Sequence, residues 1–180
     1  MNVSLKITIL FLLTLISSFV VAGGAYQEPA DFINEVFDNN SPKAKVLWLN
    51  KDLKKQIVNI LQHKYKGLRV RYWHQGKKTA WILEEIGKEK YITTGFVINN
   101  NKIEQVKVLA FRESRGWEVR YDFFTDQFKQ ARLKENHQLD KTIANISGAT
   151  LSVRALRKLA RIALLLDQHV RQIDQNKHND

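Results

Sequence analysis

Apolar residues change their spacing several times along the chain, and each spacing predicts a different element. Residues Ile7–Val21 are apolar apart from Thr and Ser. Within Tyr26–Asn40, Phe32, Val36 and Phe37 recur at helical spacing and predict a short amphipathic helix. It ends at the breaker cluster Asp38-Asn39-Asn40-Ser41-Pro42. After the apolar run Lys43–Leu49, Leu53, Ile57, Ile60 and Leu61 mark one face of a helix over Asp52–His63, closed by Gly67. The period then drops to two. Leu68, Val70 and Tyr72 alternate with Arg69, Arg71 and Trp73 over Leu68–His74, and Gln75-Gly76-Lys77-Lys78 turns the chain into a second strand over Thr79–Ile86. Tyr91–Ile98 and Ile103–Phe111 form a further pair around Asn99-Asn100-Asn101-Lys102.

The last third returns to helical spacing. Tyr121, Phe124 and Phe128 predict a helix packed on the sheet within Gly116–Gln130, and Arg132–Thr142 reads as a polar surface loop. Leu151–Val170 is a long helix, with Leu156, Leu159, Ile162, Ala163 and Leu166 on one side and Arg154, Arg157, Lys158 and Arg161 on another. Strands follow one another without intervening helices, so the fold class is α+β, an antiparallel meandering sheet packed with helices and closed by a long C-terminal helix. That pattern argues against a parallel nucleotide-binding sheet.

The first 25 residues form an export signal: a lysine, the apolar run, then small residues at Ala22, Gly23, Gly24 and Ala25. Cleavage after Ala22 or after Ala25 fits, which places the protein in the periplasm. The apolar run is shorter than the roughly 20 residues of a bilayer-crossing helix, and an uncleaved anchor in the inner membrane is the alternative. The chain contains no cysteine, which excludes lipid attachment at cysteine, disulfides, iron–sulfur clusters and c-type haem. The net charge of +11 suits an anionic membrane surface, an acidic redox partner or simple solubility, and export argues against nucleic acid. The five histidines show no metal-ligand spacing, and no Gly-x-Ser-x-Gly elbow exists for a serine nucleophile.

Candidate chemistry gathers in three places. Ser147-Gly148-Ala149-Thr150 sets hydroxyls at the mouth of the long helix, where unpaired N–H groups and the positive dipole end hold a phosphate; the simpler reading is that Ser147 or Thr150 caps the helix. Gly95 interrupts a β-branched strand, marking either close approach of a ligand or a bulge. Glu113 and Ser114, ahead of Gly116, bring a carboxylate and a hydroxyl to a strand end.

Together these residues resemble the FMN-binding domain family, whose members include a component of the sodium-pumping NADH:quinone oxidoreductase and a component of the Rnf electron-transport complexes. The family motif has the form Asp-x-x-Ser/Thr-Gly-Ala-Thr/Ser, and Ser147, Gly148, Ala149 and Thr150 match its last four positions. Val106–Phe111 followed by Glu113-Ser114-Arg115-Gly116 is similar to the family's strand and Glu-Thr-x-Gly turn. The motif's Asp would fall at position 144, which is Ala144, and Asp140 is out of register with it. The resemblance implies an FMN cofactor joined through its phosphate to Thr150 by a flavin transferase. It also implies contacts from Ser147, Gly148, Ala149, Glu113, Ser114 and Gly95, with Arg154 one helical turn away to pair with the phosphate. Trp117 is a further candidate, to stack on the flavin ring. The implied protein is an electron carrier more than an enzyme, with a redox partner in or near the inner membrane. A flavin-free periplasmic adaptor, or a basic module docking on lipid through Arg154, Arg157, Lys158 and Arg161, are the alternatives. The implied organisation is a signal over 1–25, an N-terminal helical region over 26–66, the FMN-binding domain over 67–172 and a polar tail over 173–180.

Overall fold

The computed structural model describes residues 24–179, so the predicted export signal lies outside the described residues except for its last two. Those two, Gly24–Ala25, form strand β1. Helix α1 (Pro29–Val36), strand β2 (Lys45–Trp48) and helix α2 (Lys51–Leu61) follow. Four strands then run in sequence: β3 (Arg69–Gln75), β4 (Lys78–Ile86), β5 (Tyr91–Asn99) and β6 (Lys102–Phe111). They build one antiparallel sheet in the order β1-β6-β5-β4-β3-β2. The fold is α+β, as the alternating patterns predict. Asn100 and Asn101 both have positive φ, 51° and 60°, the signature of a two-residue type I′ hairpin turn.

Helices cover both faces of the sheet. On one, Phe32, Ile33 and Val36 of α1 pack with Phe37 against Ala80, Val97 and Leu109. On the other, α2 and the C-terminal helix α4 (Thr150–Asn179) bury Leu53, Ile57, Leu156, Leu159, Ala163 and Leu166 over Trp81, Phe96 and Ile98. The residues expected as a polar tail continue α4 through Asn179. Helix α2 starts at Asn50, whose side chain accepts from Leu53 N–H at 2.8 Å. It stops where Gln62 turns left-handed at φ 63°.

A buried polar tie fixes α4 along its length. Thr79 Oγ1 donates to Asp167 Oδ1 at 2.6 Å, and Arg171 Nε donates to Asp167 Oδ2 at 2.8 Å. Trp81 Nε1 donates to the same threonine at 2.9 Å, so Thr79 is both donor and acceptor. Asp167 is fully buried, and a buried carboxylate persists when it is paired and hydrogen-bonded in this way.

The single helix expected within Gly116–Gln130 is corrected. The segment is a 3-10 turn (Trp117–Arg120), the short helix α3 (Asp122–Thr125) and a second 3-10 turn (Asp126–Phe128). Phe124 and Phe128 are buried as the periodicity requires. Tyr121 is extended, with ψ 153°, and exposed, because the chain changes direction there.

Candidate functional site

The Ser147–Thr150 loop is a turn leading into a helix. Ile146 C=O accepts from Ala149 N–H at 3.0 Å, and Gly148 sits third in this turn with φ +81°. That is type II geometry, which calls for glycine there. A Cβ on Gly148 would meet nothing within 4 Å, so the turn is open on that side. Val153 N–H bonds Ala149 C=O at 2.9 Å, which makes Ala149 the N-cap and Thr150 the first helical residue. The expected cap by Ser147 or Thr150 is therefore corrected. Alanine has no side-chain oxygen to offer the first-turn N–H groups, and these keep their affinity for an anion. Thr150 is exposed, and its Oγ1 accepts from Asn145 Nδ2 at 3.0 Å. Arg154 is also exposed, one turn further along the helix.

The second motif packs directly against the first. Gly116 has φ +84°, and a Cβ there would lie 2.6 Å from Ser152 Oγ and 3.3 Å from Ala149 Cα. Only glycine lets the loop after β6 close on the start of α4. Glu113 has a different role from the one expected. Its Oε1 accepts the backbone N–H groups of Lys88, Glu89 and Lys90 at 2.5, 2.7 and 2.9 Å. Burial raises its carboxyl pKa, but these bonds outweigh burial and hold it below the ordinary value. Glu113 thus ties the β4–β5 turn to the loop after β6. Between that turn and the start of α4 lies a cleft of about 290 Å³, lined by Ile86, Gly87, Leu151, Arg154, Ala155 and Lys158 together with His63 and Glu85.

An antiparallel sheet, an exposed hydroxyl at the first turn of a long helix and a glycine-closed loop against it agree with one family. The model of the FMN-binding domain matches residues 87–165. This chain carries an FMN-binding domain. Residues 87–165 include β5, β6 and the first half of α4, and with them the open turn, Thr150 and the Gly116 loop. No curated protein and no solved structure gives a significant match to the chain.

The donor set around the turn fits the phosphate of FMN. First-turn N–H groups without a side-chain cap, the Thr150 hydroxyl, the Asn145 amide and the Arg154 guanidinium all favour an anion. On the cleft lining, His63 Nε2 lies 2.9 Å from Glu85 Oε1, and Lys158 Nζ lies 3.8 Å from the same oxygen. The Glu85 contact, with the Lys64 carbonyl 3.1 Å from Nδ1, raises the His63 pKa above its ordinary value. One carboxylate therefore stands against His63 and Lys158, and with Arg154 on the same lining the wall of the cleft is positive.

Not every expected contact converges here. Gly95 points to the opposite face of the sheet, where a Cβ would lie 2.5 Å from the ring of Phe32. Its missing side chain admits Phe32 from α1, so a ligand approaching there meets a filled core. The register shifts fall between Thr93 and Thr94 and between Val97 and Ile98, so Gly95 sits between two irregularities and within neither. The basic stripe of α4 is also largely engaged. Arg157 donates to Ile143 C=O, Arg161 to His137 C=O, and Lys158 to Leu61 C=O at 2.6 Å. Only Arg154 of the four is exposed. Ser114 is exposed on the loop beside Gly116. Sequence reasoning missed Asn145, whose signal was the polar residue next to the expected Asp position. Ala144 itself gives its N–H to Gln127 Oε1 at 2.7 Å, and Asp140 accepts from Arg132 N–H at 2.8 Å. Asp140 is thus held in its own loop.

Proposed function

We propose that the chain is an exported electron carrier whose FMN is joined through its phosphate to Thr150 by a flavin transferase. The observation that carries this reading is the exposed Thr150 hydroxyl, held by Asn145 at the first position of a helix whose N-cap residue is alanine. A phosphodiester anion at that position meets the positive end of the helix dipole and unpaired N–H groups. Arg154 supplies a full charge one turn on. Ile86, Gly87, Leu151 and Ala155 would hold the apolar ring in the adjoining cleft, with Lys158 and Arg154 favouring an anionic cofactor. Bound FMN supplies the one- and two-electron chemistry, and the protein supplies position and charge.

Export rests on the order of lysine, apolar run and small residues in 1–25. The pairing of Gly24 with Phe111 and of Ala25 with Ala110 argues against cleavage after Ala25, which would remove β1, and leaves cleavage after Ala22 or an uncleaved anchor. A periplasmic carrier tethered to its cofactor would exchange electrons with a partner in or near the inner membrane.

The test is the mass of the purified protein after co-expression with a flavin transferase. A gain of one FMN less one water, abolished in Thr150→Ala, is expected as the Thr150 Oγ–phosphorus ester forms. Flavin that co-purifies and is released on denaturation would replace the tether with non-covalent binding, a second reading that Ala144 favours. A bare mass with no bound flavin would refute the carrier reading in favour of a flavin-free adaptor. The lipid-docking reading through the α4 stripe loses support because three of its four cations bond protein carbonyls.

A further inference from the structure

Away from the cleft beside Thr150, one exposed surface among the described residues is aromatic. Tyr26, Trp117 and Tyr121 are each 41–43% exposed and Phe123 is 64% exposed, although Phe124 and Phe128 in the same segment are buried. They form one patch. The Trp117 and Tyr121 rings meet edge to face at 5.6 Å, and Tyr121 and Phe123 lie 6.3 Å apart. Arg120 joins them from within, its guanidinium 4.4 Å from the Tyr26 ring, 4.8 Å from Tyr121 and 5.4 Å from Trp117. Arg120 Nη2 also donates to Tyr121 Oη at 2.9 Å. A surface of large rings fixed by a central cation is held in place whether or not anything covers it, and contiguous exposed aromatics of this kind mark a contact.

We propose that this patch rests in the headgroup region of a lipid bilayer. Tryptophan and tyrosine favour that zone because each joins an apolar ring to a polar edge. Where the chain enters the fold points to the same occupant. Tyr26 follows directly on β1, so the 23 residues before Gly24, which include the apolar run Ile7–Val21, join the described structure at the edge of the patch. Among the described residues no helix is long and apolar enough to cross a membrane, so the contact of this body is with a surface. Exposed Arg115, two residues before Trp117, suits a lipid phosphate, whereas Arg112 is engaged by Thr93 Oγ1 at 2.9 Å and by Glu84. Asp122 between Tyr121 and Phe123 makes the contact one of ring burial more than of net charge. Gly116, next to Trp117, packs on Ala149 and Ser152. The patch therefore sets the Thr150 turn beside the lipid surface.

The experiment uses the full chain in vesicles of phosphatidylcholine with phosphatidylglycerol. Since the chain has no cysteine, Phe123→Cys gives a single labelling site in the patch. Trp48→Cys, at a position 63% exposed on β2 at the far edge of the sheet, gives the control. Depth at the label is read, by quenching from nitroxide lipids and from an aqueous quencher, because the apolar run of residues 1–23 can itself partition. The expected result is severalfold stronger lipid quenching and severalfold weaker aqueous quenching at 123 than at 48, with little dependence on salt. Equal aqueous access at both positions overturns the proposal. Protection at 123 without lipid, arising only on adding FMN or another protein, also overturns it and assigns the patch to that occupant. Circular dichroism of both variants confirms that each is folded, and Thr150→Ala separates this result from the flavin reading, since its patch is unchanged.

Discussion

Gly95→Ala tests whether this glycine serves a ligand or the core. A Cβ at Gly95 would sit 2.5 Å from Cε1 and Cζ of Phe32, roughly an ångström inside ordinary van der Waals contact. Phe32 is fully buried between α1 and the sheet, so its ring must shift within the core to admit a methyl. Overpacking of this sort costs about 1–3 kcal/mol. In an unobstructed strand the same change would stabilise by about 0.5–1 kcal/mol, so the sign of the effect is informative before its size. Phe32→Ala alone should cost about 3–5 kcal/mol by leaving a cavity. In the double variant the new methyl has room, and the combined loss should fall short of the sum by about 1–3 kcal/mol. Urea denaturation gives each value from the shift in midpoint at unchanged slope. Flavin content per folded molecule should match wild type in all three variants. A Gly95→Ala protein with a wild-type midpoint that has lost flavin would refute the packing account and restore the ligand approach.

Other outcomes follow from particular contacts. Asp167→Ala leaves Arg171 and Thr79 without their buried partner and should cost about 3–5 kcal/mol in thermal or urea unfolding. The two shifted groups beside the site give opposite pH dependences, both read by comparing unfolding midpoints of wild type and variant across pH. Glu113 has a lowered folded pKa, so its contribution is present above its ordinary 4.5 and lost as pH falls through the folded value. Glu113→Gln should accordingly be less stable than wild type near neutrality and converge with it in acid. His63 has a raised folded pKa, so its contribution is full below its ordinary 6.5 and lost as pH rises through the folded value. His63→Gln should therefore converge with wild type in alkali. Asn145→Ala removes the hydrogen bond to Thr150 Oγ1 and should lower the fraction of chain carrying covalent flavin, whereas Ala144→Asp should raise it, both measured by intact mass.

The β3–β4 and β5–β6 hairpins were legible in the sequence because β3 alternates and each turn is made of the residues it needs, although β5 is buried along nearly its whole length; β1 and β2 were not read as strands. Asn100 and Asn101 accept positive φ, and Gly76 does so at 57°. The aromatic segment after β6 was not legible, since a helical spacing of Tyr121, Phe124 and Phe128 records only that two of the rings face the core. It is silent on the extended residue between Arg120 and Asp122 that divides the segment. At the site, Ser147–Thr150 was readable as a turn leading into a helix because Gly148 takes positive φ there. The roles of Gly95 and Glu113 depended on contacts from Phe32 and from residues 88–90, which no local pattern announces. Loop carboxylates and strand glycines look alike whether they meet a ligand or another part of the chain.

The matched segment is not held in place by its own contacts alone. Its first full strand, β5, pairs with β4 along its whole length, from Ile86 and Tyr91 at one end to Lys78 and Asn99 at the other, and β4 precedes the match. Helix α4, which presents Thr150, is tied to β4 through Asp167 and to the turn before it by Arg171 Nη2 on Lys77 C=O at 2.8 Å. Both helix residues lie beyond the match. The end of α2 is tied to the same helix through Lys158 and Leu61 C=O. Moving Thr150 relative to the loop at Gly116 would therefore require breaking contacts made by residues 61, 77 and 79, all upstream of the family pattern. The matched segment thus holds the Thr150 turn and the Gly116 loop, while part of the framework behind them comes from residues upstream of it. This division predicts where a change that leaves every flavin contact intact would still loosen the site, at Thr79 and Asp167.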